Sequence, residues 1–179
     1  MSTDPLRLSA LAALAIADIP PDSPTWQRDM GRVIARSQLA AWMAGTAERL
    51  GVPLDSALLS ERRLSRAERE EIRGYVDRQL EYLQGFDREG MSDAAIAARM
   101  QLYASAARPT YLATRWGEWD IAPELWPGAQ ACGGNCRCTA VIDDHGDGTG
   151  TLTRTLGGNR HCEECPPLEG AHAIERRAA

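Results

Sequence analysis

The stretch that decides the fold reads Cys132-Gly133-Gly134-Asn135-Cys136-Arg137-Cys138, and a second group, His161-Cys162-Glu163-Glu164-Cys165, follows it. All five cysteines of the 179-residue chain lie in these two segments. Five cysteines cannot all pair as disulfides, and a cysteine cluster made in a reducing cytosol is more often a metal site. We therefore expect metal-binding thiols here, with disulfides and thiols that bind no metal as the alternatives.

Two short segments between the cysteine groups favour β-strands. Residues 138–143 and 150–156 are rich in Thr, Val, Ile and Leu, and His145-Gly146-Asp147-Gly148 between them is typical of a turn. A lone hairpin is marginal in water, so the flanking cysteines would have to hold it together. The sequence predicts a small C-terminal β-hairpin module of zinc-ribbon type, held by one structural Zn²⁺ ion.

The candidate metal ligands are the five thiols. Structural zinc takes four ligands, often as two close pairs, and Cys162 with Cys165 has the two-residue spacing of one such pair. Cys132 and Cys136 would supply the other pair, and Cys138 would be spare or would replace one of them. His161 is a weaker candidate, because adjacent residues seldom both reach one ion. Four protein ligands would leave no position for a reactive water, so we expect no enzymatic activity.

The first part of the chain has the spacing of α-helices. Asp4-Pro5 and Ser23-Pro24 are typical helix starts, Ser65 and Glu68 form a capping box, and Gly51 is typical of a helix end. Apolar residues recur at helical spacing between these signals. The sequence therefore predicts a mainly α fold, with a helical N-terminal body joined to the zinc-held hairpin module.

A tryptophan-rich segment joins the two parts. Trp116, Trp119 and Trp126 lie among glycines and prolines, and we interpret residues 111–131 as a connecting arm that packs on its own helices or on a neighbour. The predicted division is a helical body at 1–110, this arm at 111–131, the cysteine-rich module at 132–170 and a tail at 171–179.

Charge and hydropathy exclude some classes of protein. The net charge of −5 gives no basic surface for duplex DNA. The apolar run Leu8–Ala17 is too short to span a bilayer, and Asp4 before it does not suit a signal peptide. We expect a soluble protein that does not bind membranes.

The cysteine motifs resemble the C-terminal region of tailed-phage minor head proteins, the head-morphogenesis proteins related to the F protein of phage Mu. The resemblance covers residues 92–170 and is carried by Tyr103, Ala106, Tyr111, Pro127-Gly128, Cys132 to Cys138, and His161 to Cys165. In those proteins the Cys-x2-Cys pair comes first, whereas here the order is reversed and Cys132 stands about where they have a His. Carried over, the resemblance implies Cys132, either Cys136 or Cys138, Cys162 and Cys165 as ligands.

The resemblance also implies a function. It suggests a structural protein of the bacteriophage virion, made in the host cytoplasm and present in few copies. Such a minor capsid protein would act in head morphogenesis at the portal or inner head surface. It would contact the portal or the major capsid protein, with packaged DNA nearby.

Three other functions are alternatives to this one. A head–tail connector, adaptor or head-completion protein would form a single ring in the neck of the virion. A zinc-ribbon nucleic-acid-binding protein would bind DNA in a strongly salt-dependent way. A hydrolase with a zinc-bound water would need an open coordination position and would lose turnover when Glu163 is replaced.

Overall fold

The computed structural model describes residues 24–56, 63–84, 91–92, 94–96, 98, 102, 106–129, 136, 138–158 and 162–178. The helices are α1 at Trp26–Leu50, α2 at Arg66–Gln84 and α3 at Arg108–Arg115, with further helical residues at 94–96, 98 and 102. The strands are β1 at Trp119–Asp120, β2 at Thr139–Asp144, β3 at Thr149–Thr155 and β4 at Gly170–Arg176. Short 3₁₀ helices lie at Pro123–Leu125 and Pro166–Leu168. The helix predicted to start at Asp4 lies outside the described residues.

Local sequence signals account for the end of α1 and the start of α2. Gly51 follows α1 with a left-handed φ of 64°, and its N–H bonds the carbonyls of Ala47 and Glu48. The capping box before α2 is formed, because the Ser65 N–H donates to Glu68 Oε2 over 2.8 Å and the Glu68 N–H donates to Ser65 Oγ over 3.2 Å. No helix in the described part of the chain is long and apolar enough to cross a membrane.

The strands form one antiparallel sheet in the order β1-β4-β3-β2. The predicted hairpin is confirmed as β2 and β3, in a register that pairs Thr139 with Thr155 and Asp144 with Gly150. Gly146 and Gly148 in its turn have φ of 81° and 87°, a conformation that glycine adopts without strain. On the other side of β3, strand β4 pairs Gly170 with Arg154 and Glu175 with Thr149.

The predicted fold class is wrong. The chain is not a mainly α protein with a separate zinc-held hairpin, because helices and a four-stranded sheet form it together. Among the described residues no group of three or more His, Cys, Asp or Glu side chains has the arrangement of a metal site. The prediction treated the hairpin as alone and therefore in need of a metal, but β4 pairs with β3 along residues that the sequence analysis had assigned to the end of the module and the tail.

Helices and sheet share a hydrophobic core. Leu152 of β3 and Ile174 of β4 are buried in one cluster with Ala41 and Ala44 of α1 and Tyr111 of α3. The predicted arm belongs to the same cluster, which also contains Leu112, Trp119, Ile121 and Trp126. Burial of Trp119 and Trp126 agrees with the interpretation that the tryptophans pack on their own chain. The sheet therefore draws its stability from apolar burial against the helices.

A second cluster joins the first two helices. Met30 and Ile34 of α1 are fully buried together with Trp26, Val33 and Ile96. Val76 and Leu80 of α2 pack against them. The two clusters lie along successive parts of α1, so this helix runs through both halves of the core.

The crossing of α1 and α3 is unusually close. A Cβ atom at Gly45 would lie 2.5 Å from the backbone oxygen of Tyr111 and 2.9 Å from the backbone nitrogen of Arg115. The buried amide of Gln38 strengthens the same contact, since it donates to the Ala106 carbonyl and accepts from the Thr110 hydroxyl. Only glycine permits this approach of two backbones.

Substitution of Gly45 tests this crossing. We expect Gly45→Ala to lower the free energy of unfolding by about 1–3 kcal/mol, because backbone atoms must move to admit the methyl group. The matched control is Gly74→Ala in α2, where a Cβ would meet no atom within 4 Å. That change should raise stability by about 0.5–1 kcal/mol through helix propensity. Urea denaturation measures both, and equal effects at the two positions would contradict the close crossing.

Candidate thiol site

The sheet brings the two cysteine segments to the same end of the molecule. Cys138 directly precedes β2, and Cys162 and Cys165 lie in the connection between β3 and β4. Strand β3 lies between β2 and β4, and its last residues pair with the first residues of both. The start of β2 and the start of β4 therefore lie on either side of the end of β3.

Hydrogen bonds to backbone carbonyls hold both cysteine segments in place. The Cys165 N–H donates to the Cys162 carbonyl over 3.1 Å, which closes the turn of the Cys-x2-Cys pair. The Leu168 N–H then donates to the Cys165 carbonyl over 3.0 Å. On the other side, Arg108 at the start of α3 donates from Nη1 to the Cys136 carbonyl over 3.1 Å. Helix α3 thus helps to position the segment that precedes β2.

The four described cysteines form a chain of side-chain contacts. Cys138 and Cys165 are buried, and Cys136 and Cys162 are half-buried. The sulfurs of Cys162 and Cys165 lie 3.1 Å apart. The Cys138 thiol has side-chain hydrogen bonds with both Cys136 and Cys165. These contacts link the segment before β2 to the segment before β4 through sulfur atoms.

A buried arginine lies against this cluster. Arg154 of β3 is 1% exposed, and its Nη2 donates to Cys165 Sγ over 3.3 Å. Burial raises the pKa of the Cys138 thiol, but hydrogen bonds from the Gly157 backbone and from the side chains of Cys136, Cys165 and Arg154 outweigh burial and lower that pKa. These hydrogen bonds favour the thiolate form of Cys138, and thiolate is the form of cysteine that binds metal ions.

The structure brings most of the predicted metal ligands together. Four of the five candidate ligands, Cys136, Cys138, Cys162 and Cys165, lie together, and Cys132 and His161 lie outside the described residues. These four cysteines form no disulfide with one another. Their sulfurs contact each other and Arg154, and within the described residues they are not arranged around a common centre. The ligand set itself stays a prediction.

Sequence reasoning missed Arg154. The signal was present, because β3 alternates in burial and Arg154 has the same parity as Leu152, which is buried. A charged residue at an inward position of a strand calls for a specific partner. Its partner could not be identified before the cysteine segments were placed beside β3.

The remaining motifs are explained by local hydrogen bonds. Asp147 Oδ1 accepts from the Thr149 N–H and hydroxyl at 2.9 and 2.6 Å, and His145 contacts the hydroxyls of Thr149 and Thr151 at 3.2 Å each. These bonds shape the β2–β3 turn. Glu163 and Glu164 are exposed within the Cys-x2-Cys turn, as expected for solvated carboxylates.

The sequence matches no family model, and comparisons with curated proteins and with solved structures give no match either.

Proposed function

We propose that this chain is a structural, non-catalytic component of a tailed bacteriophage virion, a minor head protein that acts in head morphogenesis at the portal or inner capsid surface. The observation that supports this role most is the contact between Cys138 and Cys165. It joins the Asn135-Cys136-Arg137-Cys138 stretch to the Cys162-x2-Cys165 pair, which are the two halves of the motif behind the resemblance. Residues far apart in the sequence thus meet in one site.

The same site has the donor set of a structural zinc centre. Cys136, Cys138, Cys162 and Cys165 offer four sulfurs, the donor atoms that structural zinc prefers, and the Arg154 guanidinium donates a hydrogen bond to the Cys165 sulfur. Tetrahedral zinc with bonds of about 2.3 Å would space its sulfurs about 3.8 Å apart. The Cys162 and Cys165 sulfurs, now 3.1 Å apart, would have to separate by less than 1 Å. When bound, the ion would supply a cross-link between two segments outside the strand ladder.

The outward face of the sheet is our candidate for the docking surface. Most of its exposed residues are small or β-branched, and Asp143 and Glu175 add two carboxylates to the same face. The small and β-branched residues belong to three adjacent strands: Thr139, Val141, Thr153, Thr155, Ala171 and Ala173. Val141, on the edge strand β2, is 64% exposed and offers an apolar side chain on this face. A sheet that is already rigid loses little entropy on binding. We propose that the portal or major capsid protein covers this face in the assembled head.

Metal content tests the zinc centre. The purified chain should contain about one zinc ion, because four thiolates complete one tetrahedral shell. Cys138→Ser should lose most of this zinc, since a buried central ligand is removed. The control is Thr153→Ser, a conservative change at an exposed position of the same sheet, which should retain it. Elemental analysis after gel filtration measures both, and full zinc retention in Cys138→Ser would contradict the proposed ligand set.

Metal removal tests what the ion does for the fold. We expect a strong chelator to lower the melting temperature and yet leave the strand signal in far-ultraviolet circular dichroism. The physical reason is that Leu152 and Ile174 stay buried against the helices without metal. Complete unfolding on chelation, as in small zinc fingers, would show that the sheet is not stable on its own core.

Virion composition tests the phage role. Mass spectrometry of purified particles from the host that encodes the chain should find it in few copies relative to the major capsid protein. Val141→Asp should reduce incorporation at least tenfold, because a charge would be buried at the docking surface (about 1.4 kcal/mol per factor of ten). Gly74→Asp, which also adds one exposed charge but lies on α2, is the control.

The outcomes separate the alternatives. Absence of the chain from particles would overturn the phage role. Its confinement to a single ring in the neck would favour a connector or head-completion protein. Salt-dependent DNA binding by the purified chain, without incorporation, would favour a nucleic-acid-binding protein.

A further inference from the structure

Arg154 occupies a position that arginine seldom takes. It lies near the end of β3, the strand between β2 and β4, with 1% of its surface exposed. Its neighbours in register are Ala140 on β2 and Gly170 on β4, both small. Burial of a guanidinium group is costly unless charged or strongly polar partners surround it. The contacts of the Arg154 side chain therefore indicate which groups it binds.

Two of these contacts come from opposite sides of the strand. Nη2 donates to Cys165 Sγ over 3.3 Å, and the side chain also bonds the Cys138 thiol. Cys138 precedes β2 and Cys165 precedes β4, so one guanidinium reaches both cysteine segments. A neutral thiol is a weak acceptor, whereas a thiolate forms a strong, charge-assisted hydrogen bond with arginine. The geometry suits sulfurs that carry negative charge.

A third contact sets the direction of the guanidinium. Nη1 donates to the Glu124 carbonyl over 2.8 Å, within the 3₁₀ helix Pro123–Leu125. This helix is followed by Trp126, which is buried in the same core cluster as Leu152. One nitrogen of the guanidinium is thus fixed to the 3₁₀ helix that precedes the buried Trp126, and the other donates to a cysteine sulfur.

We infer that Arg154 is a positioning residue for a divalent metal ion held by four thiolates, through its hydrogen bonds to the sulfurs of Cys138 and Cys165. The inference rests on the zinc centre of the proposed function and adds to it. Four thiolates around a divalent ion leave two net negative charges, and the buried guanidinium offsets one of them. It also orients ligands from two different segments before the ion binds.

Substitution of Arg154 tests this role. In the full chain, at one pH and salt concentration, zinc affinity is measured by competition with a chromophoric chelator. Arg154→Met keeps most of the side-chain volume without charge or donors, and we expect about 10–100-fold weaker binding. Arg154→Lys keeps the charge but replaces the rigid fork of two donor nitrogens with a single nitrogen, so its affinity should fall between those of Arg154→Met and the native chain.

The matched control is Arg176→Met. Arg176 is another arginine of the same sheet, but it lies at the far end of β4 and bonds Asp144 over 2.5 Å. Its loss should leave zinc affinity unchanged. Circular dichroism and tryptophan fluorescence of the metal-free variants show whether each one is folded. If Arg154→Met does not fold, Arg154→Lys carries the test.

A spectroscopic measurement separates positioning from general stabilisation. Cobalt(II) in place of zinc gives thiolate-to-metal charge-transfer bands, whose energy depends on hydrogen bonds to the sulfurs. Removal of the arginine donors should shift these bands to lower energy in Arg154→Met and, less, in Arg154→Lys. The bands of Arg176→Met should match those of the native chain.

Each result has a separate meaning. Native-like zinc affinity and unchanged cobalt bands in the Arg154 variants would overturn this inference and leave the zinc centre in place. Failure of the native chain to bind zinc or cobalt would overturn the zinc centre and this inference with it. Loss of affinity with shifted bands in the Arg154 variants, and not in Arg176→Met, is the expected result.

Discussion

The inward face of the sheet packs against helices α1 and α3, and the placement of the strands follows from this contact. Leu152 and Ile174, on the adjacent strands β3 and β4, are buried in one cluster with residues of both helices and with Trp119 and Trp126. Apolar burial of this kind has no directional requirement, but the pleat of a strand decides which residues can take part in it. Once one face is buried, a shift of register by a single residue would turn the inward side chains of the shifted strand to the outward face.

The same alternation explains the thiol site. In β3 the residues that face the helices are separated by two positions, and Arg154 follows Leu152 at that spacing. An arginine on the buried face can be accommodated only near an edge of the core where acceptors are available. The turn that contains Cys165, the Glu124 carbonyl and the segment that contains Cys138 supply those acceptors. Packing of the sheet and assembly of the cysteine cluster are therefore consequences of one arrangement.

This arrangement also changes what a metal would contribute. A hairpin alone would fold only when the ion is bound, as small zinc modules do. We expect a four-stranded sheet with its own buried face to fold without such help, so that an ion at the cysteines would join only the segments that lack ladder hydrogen bonds. Under the proposed function, local rigidity of this kind would reduce the ordering cost of docking.

The sequence by itself determined the local structure: the capping box at Ser65, the helix end at Gly51, and the β2–β3 hairpin with its glycine turn. These depend on residues within a few positions of each other, whose preferences are local. Only the tertiary structure decided that β1 and β4 complete a sheet, that this sheet shares a core with the helices, and that Arg154 faces the cysteines. Such pairings join residues far apart in the chain. Strand Gly170–Arg176 contains one β-branched residue, Ile174, among small and charged residues, so its own composition does not identify it as a strand. Its pairing with β3 defines it.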